Sequence, residues 1–129
     1  MTTETQTHGY ATTDVLPRTF GLFILYVTDW KQAIEFYTNT LEWTLLHDQE
    51  NAWAEFETQG VRMALHGSKD PVAAVDTHLS FFVQDVDASL AALKAKGVTI
   101  TKQPETVCEG TRCASFADPF GNQFHLTGK

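Results

Sequence analysis

Three of the five histidines in this 129-residue chain fall where they could bind one metal ion. His66, His78 and His125 lie in apolar segments that alternate like strands, and in each segment the alternation turns the histidine away from the hydrophobic positions. Imidazole nitrogens bind Zn, Ni, Fe and Mn, and a catalytic ion takes about three protein ligands with one position left open. The pattern predicts a divalent-metal site, although a strand histidine is also commonly a half-buried polar residue.

Side chains that could handle a substrate fall on the same faces of the predicted strands. Glu55 or Glu57 could act as a fourth ligand, or as a general base once an ion has polarised a bound water or carbonyl. Arg62 could hold an anionic group or pair with a carboxylate. The other candidates for a ligand pocket are three aromatic residues and a cysteine: Tyr26, Trp53, Phe82 and Cys113. A cysteine in such a position is more commonly a small apolar core residue than a nucleophile.

The strands that carry these residues belong to a pattern that occurs twice. A Val-x-Asp motif between a strand-like run and a helix-like run recurs 56 positions later, with its aspartate at Asp29 and then at Asp85. The first helix is predicted over 28–41, and the second runs from Asp85 as N-cap to a left-handed cap at Gly97. The predicted strands cover 20–27, 43–48, 52–58 and 61–66, then 78–83, 98–102, 112–117 and 122–127.

We therefore predict one α+β domain, residues 19–129, built of two βαβββ modules. The first module covers about residues 20–67 and the second about residues 77–127, with a connector at 68–76 and a flexible N-terminal tail at 1–18. One helix covers only one face of a sheet, so the open faces of two modules, from one chain or from two, are expected to meet around a cleft. The histidines and pocket residues named above are predicted to line that cleft.

The longest recognisable stretch is Gly110-Thr-Arg-Cys-Ala-Ser-Phe-Ala-Asp-Pro-Phe-Gly-Asn-Gln-Phe-His-Leu126. Together with the stretches at 26–37 and 83–98, it resembles the vicinal oxygen chelate superfamily, the group of glyoxalase I, bleomycin-resistance proteins and extradiol dioxygenases. The resemblance covers about residues 20–127 and implies the same pair of βαβββ modules. It does not fix the reaction, because the superfamily includes lyases, epimerases, dioxygenases, thiol transferases and metal-free drug-binding proteins.

The resemblance also implies where metal ligands belong, because metal-dependent members take them from the first and fourth strands of each module. The four matching positions are Leu22, Ala64, His78 and His125, so the first module supplies no ligand at its two positions. Glyoxalase I itself is disfavoured, since its pattern fills all four positions. A fosfomycin-type thiol transferase is disfavoured because Leu22 replaces the first-strand histidine. His66 remains as the candidate for a third ligand.

Two function classes remain open. The first, which we favour, is a metal-dependent enzyme of the lyase, isomerase or dioxygenase type that acts on a small substrate with vicinal oxygens, with Glu55 as candidate base. The second is a metal-free protein, similar to bleomycin-resistance proteins, that binds an aromatic or cationic compound between Tyr26, Trp53 and Phe82. The missing ligands of the first module favour the second class, whereas the histidines of the second module favour the first.

Charge and composition bear on partners and location. The chain has 9 Lys+Arg against 16 Asp+Glu, a net charge of −7, and no basic cluster, which disfavours nucleic acid and anionic membrane surfaces as partners. Its apolar runs fall short of the roughly 20 residues that a membrane helix needs. The two cysteines, Cys108 and Cys113, are too few for a disulfide scaffold and indicate reduced thiols in the cytoplasm. Small proteins with this repeat pair or exchange modules, so we expect a homodimer.

Overall fold

The structure, a computed structural model, describes residues 12–129, and these form eight strands, two α-helices and one π-helical turn. The elements of the first half are β1 Phe23–Val27, α1 Trp30–Glu35, the π-turn Phe36–Thr40, β2 Thr44–Gln49, β3 Trp53–Glu57 and β4 Arg62–Gly67. Those of the second half are β5 Asp76–Phe82, α2 Val86–Ala95, β6 Thr99–Cys108, β7 Thr111–Ala117 and β8 Gln123–Gly128.

Each half of the chain builds one four-stranded sheet, in the order β1-β4-β3-β2 for the first half and β5-β8-β7-β6 for the second. In each sheet the first and last strands of the half run parallel, and the other neighbours run antiparallel. A helix connects the first strand to the second in both halves. This confirms the predicted α+β fold of two βαβββ modules, which we call module 1 and module 2.

Both helices begin at the predicted caps. The Asp29 side chain accepts a hydrogen bond from the backbone N–H three residues later at 3.1 Å, and the Asp85 side chain does the same at 3.0 Å. The second helix is followed by Gly97 at φ +82°, a left-handed conformation that glycine adopts without steric cost. The local capping signals of the sequence are therefore confirmed in both modules.

The first helix does not keep α-helical hydrogen bonding over the predicted range 28–41. α1 stops at Glu35, and beyond it Leu41 N donates to Phe36 O, five residues back, at 3.0 Å. The prediction of a single α-helix is therefore wrong in its second half. Thr38 contributes to the change, because its hydroxyl donates to the carbonyl four residues earlier at 2.6 Å and competes with the backbone for that acceptor.

β6 extends to Cys108, whereas the sequence predicts a strand over 98–102. It continues through Pro104 because it is the edge strand of its sheet, where a residue without an N–H group is tolerated. Its register with β7 shifts at three places, as is common in edge strands. The other strands begin and end within three residues of their predicted limits.

The helix-facing sides of both sheets share one hydrophobic core. Tyr37 of the π-turn reaches module 2, where its ring centroid lies 6.3 Å from that of Phe124. Trp43, which follows the π-turn, lies 5.7 Å from the ring of Phe81 and 6.1 Å from that of Phe124. Strand residues from both modules complete the core: Leu25, Val27, Phe56, Met63, Leu65, Phe116 and Leu126.

A buried hydrogen bond also joins the two modules. Tyr37 OH donates to Asp118 Oδ2 at 2.5 Å, and both side chains are buried. Burial, and then the adjacent Asp118 carboxylate, raises the pKa of Tyr37 well above its usual 10.0, so the phenol keeps its proton. Asp118 also accepts from the backbone of Phe120 at 2.9 Å and from two nitrogens of Asn122 at 2.8 and 3.0 Å. This carboxylate therefore fixes the loop between β7 and β8 against the π-turn.

The opposite faces of the two sheets carry exposed side chains. Tyr26 is 50% exposed on β1 and Phe82 is 88% exposed on β5, and Ile24 is exposed as well. Their neighbours along the strands, such as Leu25 and Val27, are buried in the core. The predicted alternation of β1 and β5 is confirmed, and the faces predicted to line a cleft are those left uncovered in the described chain.

The segment before β1 is only partly described. Of the predicted tail at 1–18, residues 1–11, which include His8, lie outside the described residues. Residues 12–18 form neither helix nor strand, and Arg18 Nη2 lies 2.6 Å from Asp14 Oδ1. Within 12–129, both helices are too short and too polar to cross a membrane.

Candidate metal centre

Two of the predicted ligands, His78 and His125, come together in module 2. β5 carries His78 and the neighbouring strand β8 carries His125, and their rings lie nearly parallel with centroids 6.2 Å apart. Asp76, also on β5, joins them, and the ligating atoms of the three side chains all lie within 4.8 Å of one another. These residues form the candidate metal centre.

The backbone of β5 is bent where it carries His78. The pairing between β5 and β8 shifts register between Asp76 and Ser80, and His78 adopts φ +58°, an uncommon conformation for a residue with a side chain. The His78 N–H donates to Asp76 Oδ1 at 2.9 Å, which stabilises this bend. His78 is largely exposed, so its imidazole is accessible to an ion and to a substrate.

Both ring nitrogens of His125 are hydrogen-bonded. His125 Nε2 donates to Asp76 Oδ1 at 2.7 Å, and His125 Nδ1 shares a hydrogen bond of 2.7 Å with Ser115 Oγ. Ser115 is paired with His125 in the register of β7 and β8 and is only 1% exposed. The imidazole of His125 is thus held in one orientation between a buried hydroxyl and a carboxylate.

The Asp76 carboxylate is held in its ionised form. The hydrogen bond from His125, and then that from the backbone of His78, lowers the pKa of Asp76 below its usual 3.8. Its second oxygen accepts from Gln123 Nε2 at 2.9 Å. Two imidazoles and an ionised carboxylate are a donor set that Fe, Mn and Zn accept, so the residues present fit a divalent ion.

The third predicted histidine lies outside this group. His66 Nδ1 donates to the carbonyl of Gly67 at 2.9 Å. Its ring centroid lies 4.6 Å from that of Tyr26 and 6.1 Å from that of Trp53, both in module 1. The structure therefore places His66 in an aromatic cluster of module 1, together with two of the predicted pocket residues.

The remaining polar candidates of module 1 bind one another. Glu55 is 1% exposed and accepts from Trp53 Nε1 at 2.8 Å. Arg62 lies 3.5 Å from the Glu55 carboxylate and 3.9 Å from that of Glu57. In this structure Arg62 therefore pairs with carboxylates, which is the second of the two interpretations of this residue.

The structure also locates the other predicted positions. Leu22 precedes β1, and Ala64, the module 1 counterpart of His125, is buried and paired with Glu55. Cys113 is half-buried on β7, with its Sγ 3.9 Å from Thr127 Oγ1. Phe82 stands exposed on the open face of module 2.

Sequence reasoning did not identify the roles of Asp76 and Ser115. Asp76 stands two residues before His78, and this spacing, which places side chains on one face of a strand, is the sequence signal for it. The hydrogen bond of Ser115 to His125 depends on the register of β7 with β8, which sequence alone does not give.

Comparison with known proteins places the chain in a family. The profile of the Glyoxalase/Bleomycin resistance protein/Dioxygenase superfamily matches residues 19–126, nearly the whole described chain. The protein belongs to this superfamily, which confirms the resemblance identified in the sequence. No curated protein matches the chain.

Solved structures agree with this fold. A member of the superfamily from Sphaerobacter thermophilus DSM 20745 is 29% identical, with a TM-score of 0.68, over 84% of this chain and 96% of that one. A glyoxalase/bleomycin resistance protein from Streptomyces sp. CB03234 is 30% identical, with a TM-score of 0.62, over 81% and 96%. A variant of the fosfomycin resistance protein FosX from Listeria monocytogenes, complexed with Mn(II) and 1S,2S-dihydroxypropylphosphonic acid, is 21% identical, with a TM-score of 0.72, over 88% and 93%. At 21% identity, the similarity to FosX shows only a shared fold.

Proposed function

We propose that this protein binds a divalent metal ion at His78 and His125 and acts as an enzyme on a small substrate with vicinal oxygens. The observation that carries the proposal is the convergence of ligating atoms around these two histidines, within 4.8 Å of one another together with Asp76. An ion bound there would coordinate two neighbouring substrate oxygens and stabilise an enolate or oxyanion. The reaction belongs to the lyase, isomerase or dioxygenase type found in the superfamily.

The residues of this chain have distinct parts in that function. Ser115 and Asp76 hold the His125 ring, and the bend in β5 presents His78 to solvent. Glu55 remains the candidate base, and its buried carboxylate is oriented by Trp53 and Arg62. We further propose that Arg62, Tyr26, Trp53, Phe82 and Cys113 contact the substrate. The cytoplasmic location stays a prediction from the cysteine content.

A second copy of the chain would supply the opposite wall of the site. The metal centre lies on the open face of module 2, whereas the aromatic cluster of His66 lies on the open face of module 1. Because the exposed Tyr26 and Phe82 leave apolar surface uncovered, we predict a homodimer that buries both side chains. Light scattering at micromolar concentration measures the mass, and a monomer would contradict this prediction.

One observation favours a second function, the binding of an aromatic or cationic compound without metal. Tyr26, Trp53 and His66 form a half-exposed aromatic cluster, and the chain carries a net charge of −7, which suits a cationic ligand. In this case Glu55 would have no catalytic role. The two functions differ in whether the histidines of module 2 bind an ion.

A thermal-shift panel tests the proposal, since a ligand that binds only the native state raises the melting temperature. Untagged protein is heated with Mn²⁺, Zn²⁺, Ni²⁺ or Fe²⁺, and separately with small aromatic amines. We expect at least one divalent ion to stabilise the wild type and the His78→Ala/His125→Ala double variant to lose that shift. The His47→Ala variant, which changes a histidine of β2 outside the cluster, should keep it. Stabilisation by the amines alone would instead support the metal-free function.

A further inference from the structure

We propose that Asp76 is the third protein ligand of the metal centre, so that one module supplies a complete site of two histidines and one carboxylate. This inference rests on the proposed function and adds a ligand at a position where the family resemblance places none. It also replaces His66 as the candidate for third ligand.

Asp76 already contacts the nitrogens that would bind an ion. Its Oδ1 lies 2.7 Å from His125 Nε2 and 3.8 Å from His78 Nδ1, so one carboxylate oxygen stands between the two imidazoles. Both histidine residues donate hydrogen bonds to this oxygen, His125 from its ring at 2.7 Å and His78 from its backbone N–H at 2.9 Å. The ligating atoms of the three side chains lie within 4.8 Å of one another, close enough for one ion to contact all three.

Ser115 allows His125 to change partners without losing its orientation. In the described arrangement Nε2 donates to Asp76, and Nδ1 lies 2.7 Å from Ser115 Oγ, which can donate to it. If Nε2 bound an ion, Nδ1 would carry the proton and would donate to the same Ser115 oxygen. A hydroxyl both donates and accepts, so it supports either tautomer, and we assign Ser115 as a positioning residue.

Module 1 provides an internal comparison. At the position of His125 it has Ala64, and at the position of Ser115 it has Glu55, which is bound by Trp53 and Arg62. The ligand and its hydroxyl partner are therefore present together in module 2 and absent together in module 1. The site accordingly depends on module 2 for all its protein ligands.

Titration calorimetry with Mn²⁺ alone tests the third ligand. Asp76→Asn keeps an oxygen that can accept from the His78 N–H but removes the negative charge, and we expect Mn²⁺ binding about 10- to 100-fold weaker than in the wild type. Asp70→Asn, in the connector, is the matched control and should bind as the wild type does. Melting curves without metal verify that both variants fold.

The outcomes separate this inference from the proposed function. Wild-type affinity in Asp76→Asn, combined with loss of binding in His78→Ala/His125→Ala, would overturn the third ligand and leave the metal function standing. If the wild type bound neither Mn²⁺ nor any other ion of the thermal-shift panel, both the third ligand and the metal function would be overturned. Weaker Mn²⁺ binding in Asp76→Asn, together with wild-type binding in Asp70→Asn, supports the inference.

The positioning role of Ser115 has its own readout. Ser115→Ala should weaken Mn²⁺ binding about 10-fold, and Ser115→Thr, which restores a hydroxyl, should recover it. Nitrogen-15 spectra report which ring nitrogen of His125 carries the proton. We expect the proton on Nε2 without metal and on Nδ1 after Zn²⁺, a diamagnetic ion, is added. An unchanged tautomer on Zn²⁺ binding, or equal affinities of all three proteins, would contradict the role.

Discussion

Replacing Gly67 with alanine is expected to destabilise the protein by about 3 kcal/mol, because the new methyl group has no room. A Cβ at this position would lie 2.0 Å from the backbone oxygen of Asn51 and 2.7 Å from its carbonyl carbon. The obstacle is backbone, so no side-chain rotation relieves it. The strand end and the turn before β3 would have to separate, which also stretches the hydrogen bond from Gly67 N to Ala52 O, now 3.0 Å.

A comparable close approach occurs at the matching position of module 2, where the neighbour is the residue that follows β5 rather than the turn before the third strand. A Cβ on Gly128 would lie 2.1 Å from the backbone oxygen of Val83, so Gly128→Ala is expected to destabilise as well. Gly60→Ala is the control, because nothing lies within 4 Å of a Cβ there. Urea unfolding measures all three variants. A Gly67→Ala protein as stable as Gly60→Ala would contradict the close approach.

Replacing Asp118 with alanine is expected to reduce the free energy of unfolding by about 4 kcal/mol, since it leaves several buried donors without an acceptor. The carboxylate accepts from Tyr37 OH, from the backbone of Phe120 and from two nitrogens of Asn122. Tyr37→Phe removes only one of these bonds and should cost about 1 kcal/mol.

The comparison with an exposed aspartate tests whether burial causes this loss. Asp70 lies in the exposed connector, so Asp70→Ala should change stability by less than about 0.5 kcal/mol. Urea unfolding of the Asp118, Tyr37 and Asp70 variants gives the order of effects. If Asp118→Ala were no more costly than Tyr37→Phe, the loop contacts of the carboxylate would contribute nothing and the account of this junction would be wrong.

The elements predicted best are those fixed by local chemistry. Asp29 and Asp85 cap their helices because a short side chain reaches the backbone N–H three residues on, whatever the rest of the chain does. Gly97 ends α2 for a similarly local reason. The π-turn and the long edge strand β6 were not predicted, since they depend on the bond of Thr38 and on which strand lies at the edge of the sheet.

The candidate site divides in the same way. Repeat and alternation placed His78 and His125 on one open face, and the structure brings them together. The same reasoning put His66 in a shared cleft, but strand periodicity gives only the face of a residue and no distance between modules. The contact of Ser115 with His125 depends on the register of two strands, whereas Asp76, the proposed third ligand, stands two residues before His78, a spacing that is visible in the sequence.

The difference between the modules gives the superfamily fold a particular form in this protein. Module 1 has Ala64 and a buried, paired Glu55 where module 2 has His125 and Ser115. In the proposed site all protein ligands come from module 2, whereas module 1 presents the aromatic side chains of Tyr26, Trp53 and His66. We expect module 2 to bind an ion and module 1 to contact the organic part of a substrate.

Metal stoichiometry tests whether the two histidines of module 2 bind an ion. Untagged protein is dialysed to equilibrium against Mn²⁺, and the bound ion is counted by elemental analysis for the wild type and for His78→Ala/His125→Ala. We expect one ion per chain in the wild type and none in the double variant. An equal amount of bound ion in both proteins, or none in the wild type, would contradict it.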